Sequence, residues 1–168
     1  MLVANGFYAI FEGVDGAGKS TVIEAVKNKL SDILARNDCD PSIIKVCVSP
    51  GSTPLGKHIR QLVKYPSTIS PDIVIDDLSR QMLYMVDTIN CVKTILEPSL
   101  ADGKIILADR SSFISAMAYG MADGLQYHAI EKLFDIITPP KADKLFVLQI
   151  QPETSFEQLS KIKDSSDH

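Results

Sequence analysis

Four short apolar runs are spaced along the chain, and more polar, helix-like segments separate them. The runs occupy residues 7–11, 43–48, 104–108 and 145–150 and are rich in aliphatic and aromatic side chains. Short apolar runs without regular polar alternation are typical of strands buried on both faces of a sheet. Strands that alternate with helices predict right-handed βαβ units, and therefore a parallel sheet with helices on both faces.

Apolar residues at helical spacing predict a helix after the first strand and a shorter one after the second. The first is expected from about Thr21 to Arg36, and the second from Leu55 to about Val63. The predicted apolar stripes are Val22, Val26, Leu30 and Ile33 in the first helix, and Leu55, Ile59 and Leu62 in the second.

A long third helix is expected before the third strand. Ser70 is its predicted N-cap, Pro71 its first helical residue, and Pro98 the residue that disturbs it. Its apolar positions are numerous enough to pack on the sheet and on a partner, and they are Leu78, Met82, Met85, Ile89 and Val92.

A glycine-rich turn joins the first strand to the first helix, with the sequence GVDGAGKS over residues 13–20. It matches G-x-x-x-x-G-K-[ST], in which backbone N–H groups hold nucleotide phosphates, lysine contacts the outer phosphates and the hydroxyl ligates Mg²⁺. A turn that binds nothing is the alternative, but it would not require the lysine and serine. The motif predicts an α/β, three-layer P-loop NTPase fold. The predicted ATP-binding residues are Gly13, Val14, Asp15, Gly16, Ala17, Gly18, Lys19, Ser20 and Thr21.

Ligands of open parallel sheets bind at the carboxyl ends of the strands, and the third run ends in charged residues. Asp109 closes the run IILAD and has the form of an acid that holds Mg²⁺, or of a simple turn or N-cap aspartate. Arg110 offers a charged fork to a second phosphate, or forms a surface salt bridge. Asp15 is expected to accept a hydrogen bond from an acceptor sugar, since two anions repel, or else to shape the turn.

Composition excludes several classes of protein. The 168 residues, 45% hydrophobic and 23% charged, suit one globular domain. A net charge of -4 with scattered Lys and Arg argues against a nucleic-acid partner. Three cysteines without metal-ligand spacing predict reduced thiols and a cytoplasmic location. The N-terminus has no signal-peptide pattern and no run reaches the length of a membrane span, so no membrane partner is expected.

Four segments together resemble the thymidylate kinases, a family of P-loop nucleoside monophosphate kinases. They are FEGVDGAGKST, PGSTPLGKHIR, LYMVDTIN and ILEPSLADGKIILADR, and the resemblance covers nearly the whole chain. It implies transfer of the ATP γ-phosphate to a deoxynucleoside monophosphate, above all dTMP to dTDP in dTTP synthesis, with Mg²⁺, in a homodimer.

The resemblance also implies roles for single residues. Lys19, Asp109 and Arg110 are the expected catalytic residues, and Ser20 and Asp109 the expected metal-binding residues. Tyr84 matches the position that stacks on the acceptor base, although it could equally serve helix packing. The expected acceptor-binding residues are Asp15, Pro50, Tyr84 and Arg110.

The sequence departs from the family at several positions. The usual Arg-Glu-Pro-Gly-Gly-Thr after the second strand begins here with Val48 and Ser49, so the arginine for the acceptor phosphate is missing. Thr88 replaces an arginine near the base, and Ser111 replaces the tyrosine of Asp-Arg-Tyr. We expect one P-loop nucleotide kinase domain over residues 1–168, ending before the family's lid and its last strand and helix.

Two other functions also fit this sequence. The sequence Asp109-Arg110-Ser111 also looks like the deoxynucleoside kinases, which phosphorylate nucleosides such as thymidine. The missing arginines and lid also suit a catalytically weak nucleotide-binding module.

Overall fold

The computed structural model describes residues 6–135, 137–151 and 153–155 of the chain. Four strands form one parallel sheet: β1 (Phe7–Gly13), β2 (Ile44–Val48), β3 (Ile105–Asp109) and β4 (Lys144–Leu148). Their order across the sheet is β2-β3-β1-β4. The predicted α/β architecture is therefore confirmed. The prediction that the domain ends before the lid and the last strand and helix concerns residues outside the described ranges.

Six α-helices connect the strands within the described part of the chain. They are α1 (Lys19–Arg36), α2 (Pro54–Lys64), α3 (Asp77–Cys91), α4 (Glu97–Ala101), α5 (Ser112–Ala122) and α6 (Tyr127–Phe134). None of the helices in these residues has the length and apolarity that a bilayer span requires.

The central strands β1 and β3 are buried on both faces, as predicted. Alternate residues point to opposite sides of the sheet, so Ile106 and Leu107, at 0% and 1% exposure, lie in different clusters. Ile106 packs in the cluster that contains Met85 and Met117, whereas Leu107 packs in the cluster that contains Ile23 of α1.

The prediction of two-sided burial is wrong for β4 and also for β2, where Val46 is 48% exposed. Leu145, Phe146 and Val147 are 50%, 46% and 59% exposed. The physical reason is position: among the described strands β2 and β4 lie at the two edges of the sheet, where β2 pairs only with β3 and β4 only with β1. Phe146 still stacks on Phe11, with ring centroids 5.0 Å apart.

Two predicted helix faces are also corrected. In α1, Val22 and Ile33 are exposed, and Ile23 is buried in their place. The residues of α1 that pack with Ile23 are Val26, Leu30 and Leu34. The face of α1 that is buried against the sheet is therefore rotated by about one residue from the predicted face. In α2, Leu55 is exposed and only Ile59 is deeply buried.

The third helix starts later than Ser70. Asp76 is its N-cap, and the Asp76 carboxylate accepts a hydrogen bond from the Ser79 N–H at 3.0 Å. Ser70 instead accepts a bond from the nearby Asp72 N–H, which favours a turn. The predicted disturbance near Pro98 is a π-helical turn over Val92–Leu96, which connects α3 directly to α4.

The helices α2 and α3 touch at Gly56, where a side chain has no room. A Cβ at Gly56 would lie 2.1 Å from the Asp87 Oδ1 and 3.1 Å from the Thr53 Oγ1. Asp87 is 1% exposed and cannot swing into solvent. Thr53 caps α2 by accepting a hydrogen bond from the Gly56 N–H at 2.8 Å.

We expect Gly56→Ala to lower the free energy of unfolding by about 1–3 kcal/mol, as overpacking of a filled site does. Thermal or urea unfolding measures this change. Lys57→Ala, at an exposed position of the same helix, is the control and should have little effect. A Gly56→Ala protein as stable as the control would contradict the close packing of α2 on Asp87.

Candidate active site

The turn between β1 and α1 has the conformation of a phosphate-binding loop. Gly16 and Gly18 have φ of 80° and 79°, in the left-handed region that side chains disfavour. Gly18 directly precedes α1. The first N–H groups of a helix have no partner within that helix, and the helix dipole adds positive charge there. The loop is thus an anion-binding concavity at a helix N-terminus.

Lys19 lies over this loop and is 7% exposed. Its Nζ donates hydrogen bonds to the carbonyl oxygens of Gly13 at 3.0 Å and Val14 at 2.9 Å. Burial, and then the positive charge of Arg110, lower the pKa of Lys19. The ammonium is therefore held at the loop in an environment that favours a nearby anion.

Ser20 and Asp109 face one another across adjacent strand ends. The Ser20 hydroxyl donates to the Asp109 Oδ2 at 3.0 Å. Parallel pairing of β1 with β3, which aligns Phe11 with Asp109, brings the carboxylate to the loop. Adjacent oxygens of an octahedral Mg²⁺ lie about 2.9 Å apart, given Mg–O distances of about 2.0–2.1 Å. The two oxygens therefore fit as neighbouring ligands.

Arg110 is paired with two carboxylates. Its Nη2 bonds to the Asp15 Oδ1, and its Nη1 lies 3.7 Å from the Glu12 Oε2. Burial opposes ionisation of Asp15, but Arg110 outweighs burial and the pKa of Asp15 lies below its usual value. The φ of Arg110 is 76°, a strained conformation that turns the chain directly after β3. Its N–H donates to the Phe11 carbonyl at 2.9 Å.

Glu12 is a site residue that sequence reasoning missed. It is 6% exposed and accepts hydrogen bonds from the Ser111 N–H at 2.6 Å and the Ser115 hydroxyl at 3.3 Å. A charged residue at the end of an otherwise apolar strand was the available signal. These bonds hold the start of α5 against β1. They also fix the segment before α5, which carries Arg110.

Lys19, Ser20, Asp109 and Arg110 line one cavity of about 560 Å³, the size of a small-ligand site. Helix α2 adds two cations that sequence reasoning also missed, Arg60 and Lys64. The sequence shows that Arg60 and Lys64 are four residues apart and so share one face of α2, but it does not show that this face points to the site. Burial and then the neighbouring Arg60 lower the pKa of Lys64, which indicates crowded positive charge. The cavity is lined by Asp15, Gly16, Gly18, Lys19, Ser20, Thr21, Val48, Ser49, Arg60, Lys64, Asp109 and Arg110.

Tyr84 and Pro50 do not line this cavity. They lie at a separate cavity of about 10 Å³, which shares Ser49 with the large one. Thr88 is buried there, and its hydroxyl donates to the Tyr84 carbonyl at 2.8 Å. Gly13 and Val14 border other cavities of the loop. Ala17 stabilises the loop by donating its N–H to the Val14 carbonyl at 3.2 Å.

Comparisons with known proteins agree on one family. The family model described as thymidylate kinase matches residues 11–167. The thymidylate kinase of Halothermothrix orenii is 32% identical over 156 residues, covering 91% of this chain and 69% of the relative. That of Trichodesmium erythraeum is 35% identical over 161 residues, covering 88% and 68%.

A solved structure is similar over most of its length. The crystal structure of thymidylate kinase from Ehrlichia chaffeensis matches with a TM-score of 0.74, covering 97% of this chain and 87% of that chain. Its sequence identity is 22%, so this likeness supports the fold alone.

We expect Lys19→Ala to weaken ATP binding roughly tenfold or more, because a charge-assisted hydrogen bond contributes about 1.5–3 kcal/mol. Isothermal titration calorimetry with ATP measures the effect. Lys27→Ala, at an exposed position of the same helix, is the matched control. Equal affinity in Lys19→Ala and the control would show that this loop is not the donor site.

Proposed function

The chain belongs to the thymidylate kinase family, and from this premise we propose that it transfers the ATP γ-phosphate to dTMP, giving dTDP. The observation that carries the proposal is the single cavity that joins the phosphate-binding loop to the cations of α2 and to Arg110. A donor and an acceptor phosphate can meet there because positive groups converge from three segments that are far apart in the sequence.

The donor triphosphate occupies the loop between β1 and α1. Backbone N–H groups at the start of α1 bind its phosphate oxygens. The Lys19 ammonium stabilises the negative charge that develops on the transferring phosphoryl group. Ser20 and Asp109 would hold Mg²⁺, which neutralises phosphate charge when bound. No group of three or more His, Cys, Asp or Glu side chains in the described residues could hold a metal by itself.

The acceptor phosphate requires cations of its own, since it must approach another anion. Val48 and Ser49 bring no charge to the cavity, whereas Arg60 and Lys64 of α2 line it. The Arg60 Nη1 donates to the Pro50 carbonyl at 3.0 Å. This bond holds one end of the Arg60 guanidinium group beside the loop after β2. We infer that Arg110, Arg60 and Lys64 together hold the acceptor phosphate.

Asp15 has a second role besides the one expected toward the acceptor sugar. Its carboxylate is bound to Arg110, and 52% of its side chain is exposed. Asp15 therefore orients Arg110 and still offers an oxygen to an acceptor sugar hydroxyl. The three free cysteines support a reducing compartment, and we propose the cytoplasm.

We expect Arg110→Ala to lower kcat/KM for dTMP roughly 100-fold or more, because the charged group that positions the acceptor phosphate for reaction is lost. ATP binding through Lys19 should change little, which calorimetry can verify. Arg36→Ala, at the exposed end of α1, is the control. Unchanged dTMP phosphorylation in Arg110→Ala would contradict the assignment of the acceptor phosphate.

Assays of wild-type protein on dTMP and thymidine separate the proposal from its rivals. A dTMP kinase prefers the monophosphate, because thymidine has no phosphate for the three cations to bind. Equal or greater activity on thymidine would identify a deoxynucleoside kinase. ATP binding without transfer to any nucleoside or monophosphate would identify a nucleotide-binding module.

We expect Asp109→Asn to raise the Mg²⁺ concentration required for half-maximal activity, because an amide holds a hydrated cation less strongly than a carboxylate does. Raising Mg²⁺ should restore part of the lost rate, and a Mg²⁺ titration at saturating ATP tests this. Asp32→Asn, on α1, is the matched control. A rate loss in Asp109→Asn that is independent of Mg²⁺ would refute the metal assignment.

A further inference from the structure

Two tyrosines from different helices stack beside the loop that follows β2. The rings of Tyr84 on α3 and Tyr119 on α5 have centroids 6.2 Å apart and planes inclined by 22°. Offset stacking at such a distance is a favourable aromatic contact. Tyr119 is nevertheless 37% exposed, so its ring lies at the surface of the site and not in the core.

The Tyr119 ring separates a very small cavity from a large one. The cavity against Tyr84 has a volume of about 10 Å³, which holds about one water and no nucleobase. The cavity on the other side of Tyr119 has a volume of about 480 Å³. It is bounded by Ile114, Ser115 and Ala118 of α5 and by Leu145 and Val147 of β4. A base can reach the face of Tyr84 only if the Tyr119 ring moves, and the larger cavity has room for that ring.

The backbone of α5 cannot supply this movement. A Cβ at Gly120 would lie 2.5 Å from the Ile130 Cδ1 and 3.0 Å from the Gln81 Nε2, so α5 is packed tightly on α6 and α3 beside Tyr119. Aromatic residues in helices use two side-chain directions, with χ1 near 180° or −60°. The movement is therefore a rotation of the Tyr119 side chain.

The serine and threonine hydroxyls around the small cavity are already used as donors. The Thr88 hydroxyl donates to the Tyr84 carbonyl, the Ser115 hydroxyl to Glu12, and the Ser49 hydroxyl to the Asp87 Oδ2 at 3.4 Å. A base in this position would find aromatic faces, and serine and threonine hydroxyls that already donate to the protein. Stacking and available space, more than hydrogen-bond readout, would then select the base.

We propose that Tyr119 sets the size of the acceptor base, an inference that rests on the proposed function. The Tyr119 ring stacks on Tyr84 where the acceptor base would stack. When a one-ring base binds, the Tyr119 ring turns into the larger cavity. In that position the ring still limits the size of the base that fits against Tyr84. The Arg110 guanidinium lies 6.0 Å from the centroid of the Tyr119 ring. The base position therefore adjoins the cation assigned to the acceptor phosphate, as a single nucleotide requires.

The test compares kcat/KM for dTMP and dGMP in wild type, Tyr119→Ala and Tyr119→Phe, with Tyr127→Ala as an exposed matched control. We expect Tyr119→Ala to raise the dGMP-to-dTMP ratio roughly tenfold or more, the order of discrimination that pocket size provides. Tyr119→Phe keeps the ring and should restore the wild-type ratio. If dGMP turnover is undetectable, its inhibition constant against dTMP replaces kcat/KM.

A second measurement follows the ring itself in the wild-type protein. The chain has five tyrosines, and the ring signals of Tyr119 can be assigned from spectra of Tyr119→Phe. We expect dTMP, but not thymine-free deoxyribose 5-phosphate, to shift the signals of Tyr119 and Tyr84 in carbon-13 spectra.

The outcomes separate this inference from the proposed function. Wild-type activity on dTMP with an unchanged ratio in Tyr119→Ala, or with Tyr119 signals that dTMP does not alter, overturns the inference alone. Absence of monophosphate phosphorylation overturns the proposed function, and the tyrosine spectra with dTMP then decide the inference. A protein that binds no dTMP overturns both.

Discussion

Parallel pairing of β1 with β3 is the constraint on which the candidate site depends. The register places Phe11 opposite Asp109, so the phosphate-binding loop and the end of β3 emerge side by side. The contact between Ser20 and Asp109 and the pairing of Arg110 with Asp15 both follow from this register. A shift by one residue would turn Asp109 to the other face of the sheet and separate these groups.

Partners within the protein hold the cations of the site in place. Arg110 is retained by Asp15 and Glu12, whereas Lys19 is retained by the carbonyl groups of its own loop. Arg60 is partly retained by the carbonyl of Pro50. These partners orient the positive groups toward one cavity, and such preorganisation lowers the reorganisation that phosphate binding requires.

The phosphate side of the site and the side at Tyr84 differ in how much open space they offer to a ligand. The phosphate side is an open cavity of about 560 Å³. The side at Tyr84 is nearly closed because Tyr119 stacks there. Donor phosphates can therefore bind to a preformed surface, while the acceptor base must displace a side chain.

The sequence by itself determined the parts that consist of contiguous residues. The loop over residues 13–20, the strands around it and the family segments are local patterns, and their conformation depends mainly on neighbours in the chain. Asp109 could be placed beside the loop from sequence because parallel strands bring their carboxyl ends to one edge.

Only the tertiary structure decided which side chains share the cavities. Glu12, Arg60, Lys64 and Tyr119 belong to separate elements, and no local pattern shows which way each one faces. The buried stripe of α1 and the start of α3 at Asp77 were likewise set by packing and by a better N-cap. The physical reason is that helix phase is fixed by contacts with residues that are distant in the chain, where a rotation of one residue exchanges a buried side chain for an exposed one.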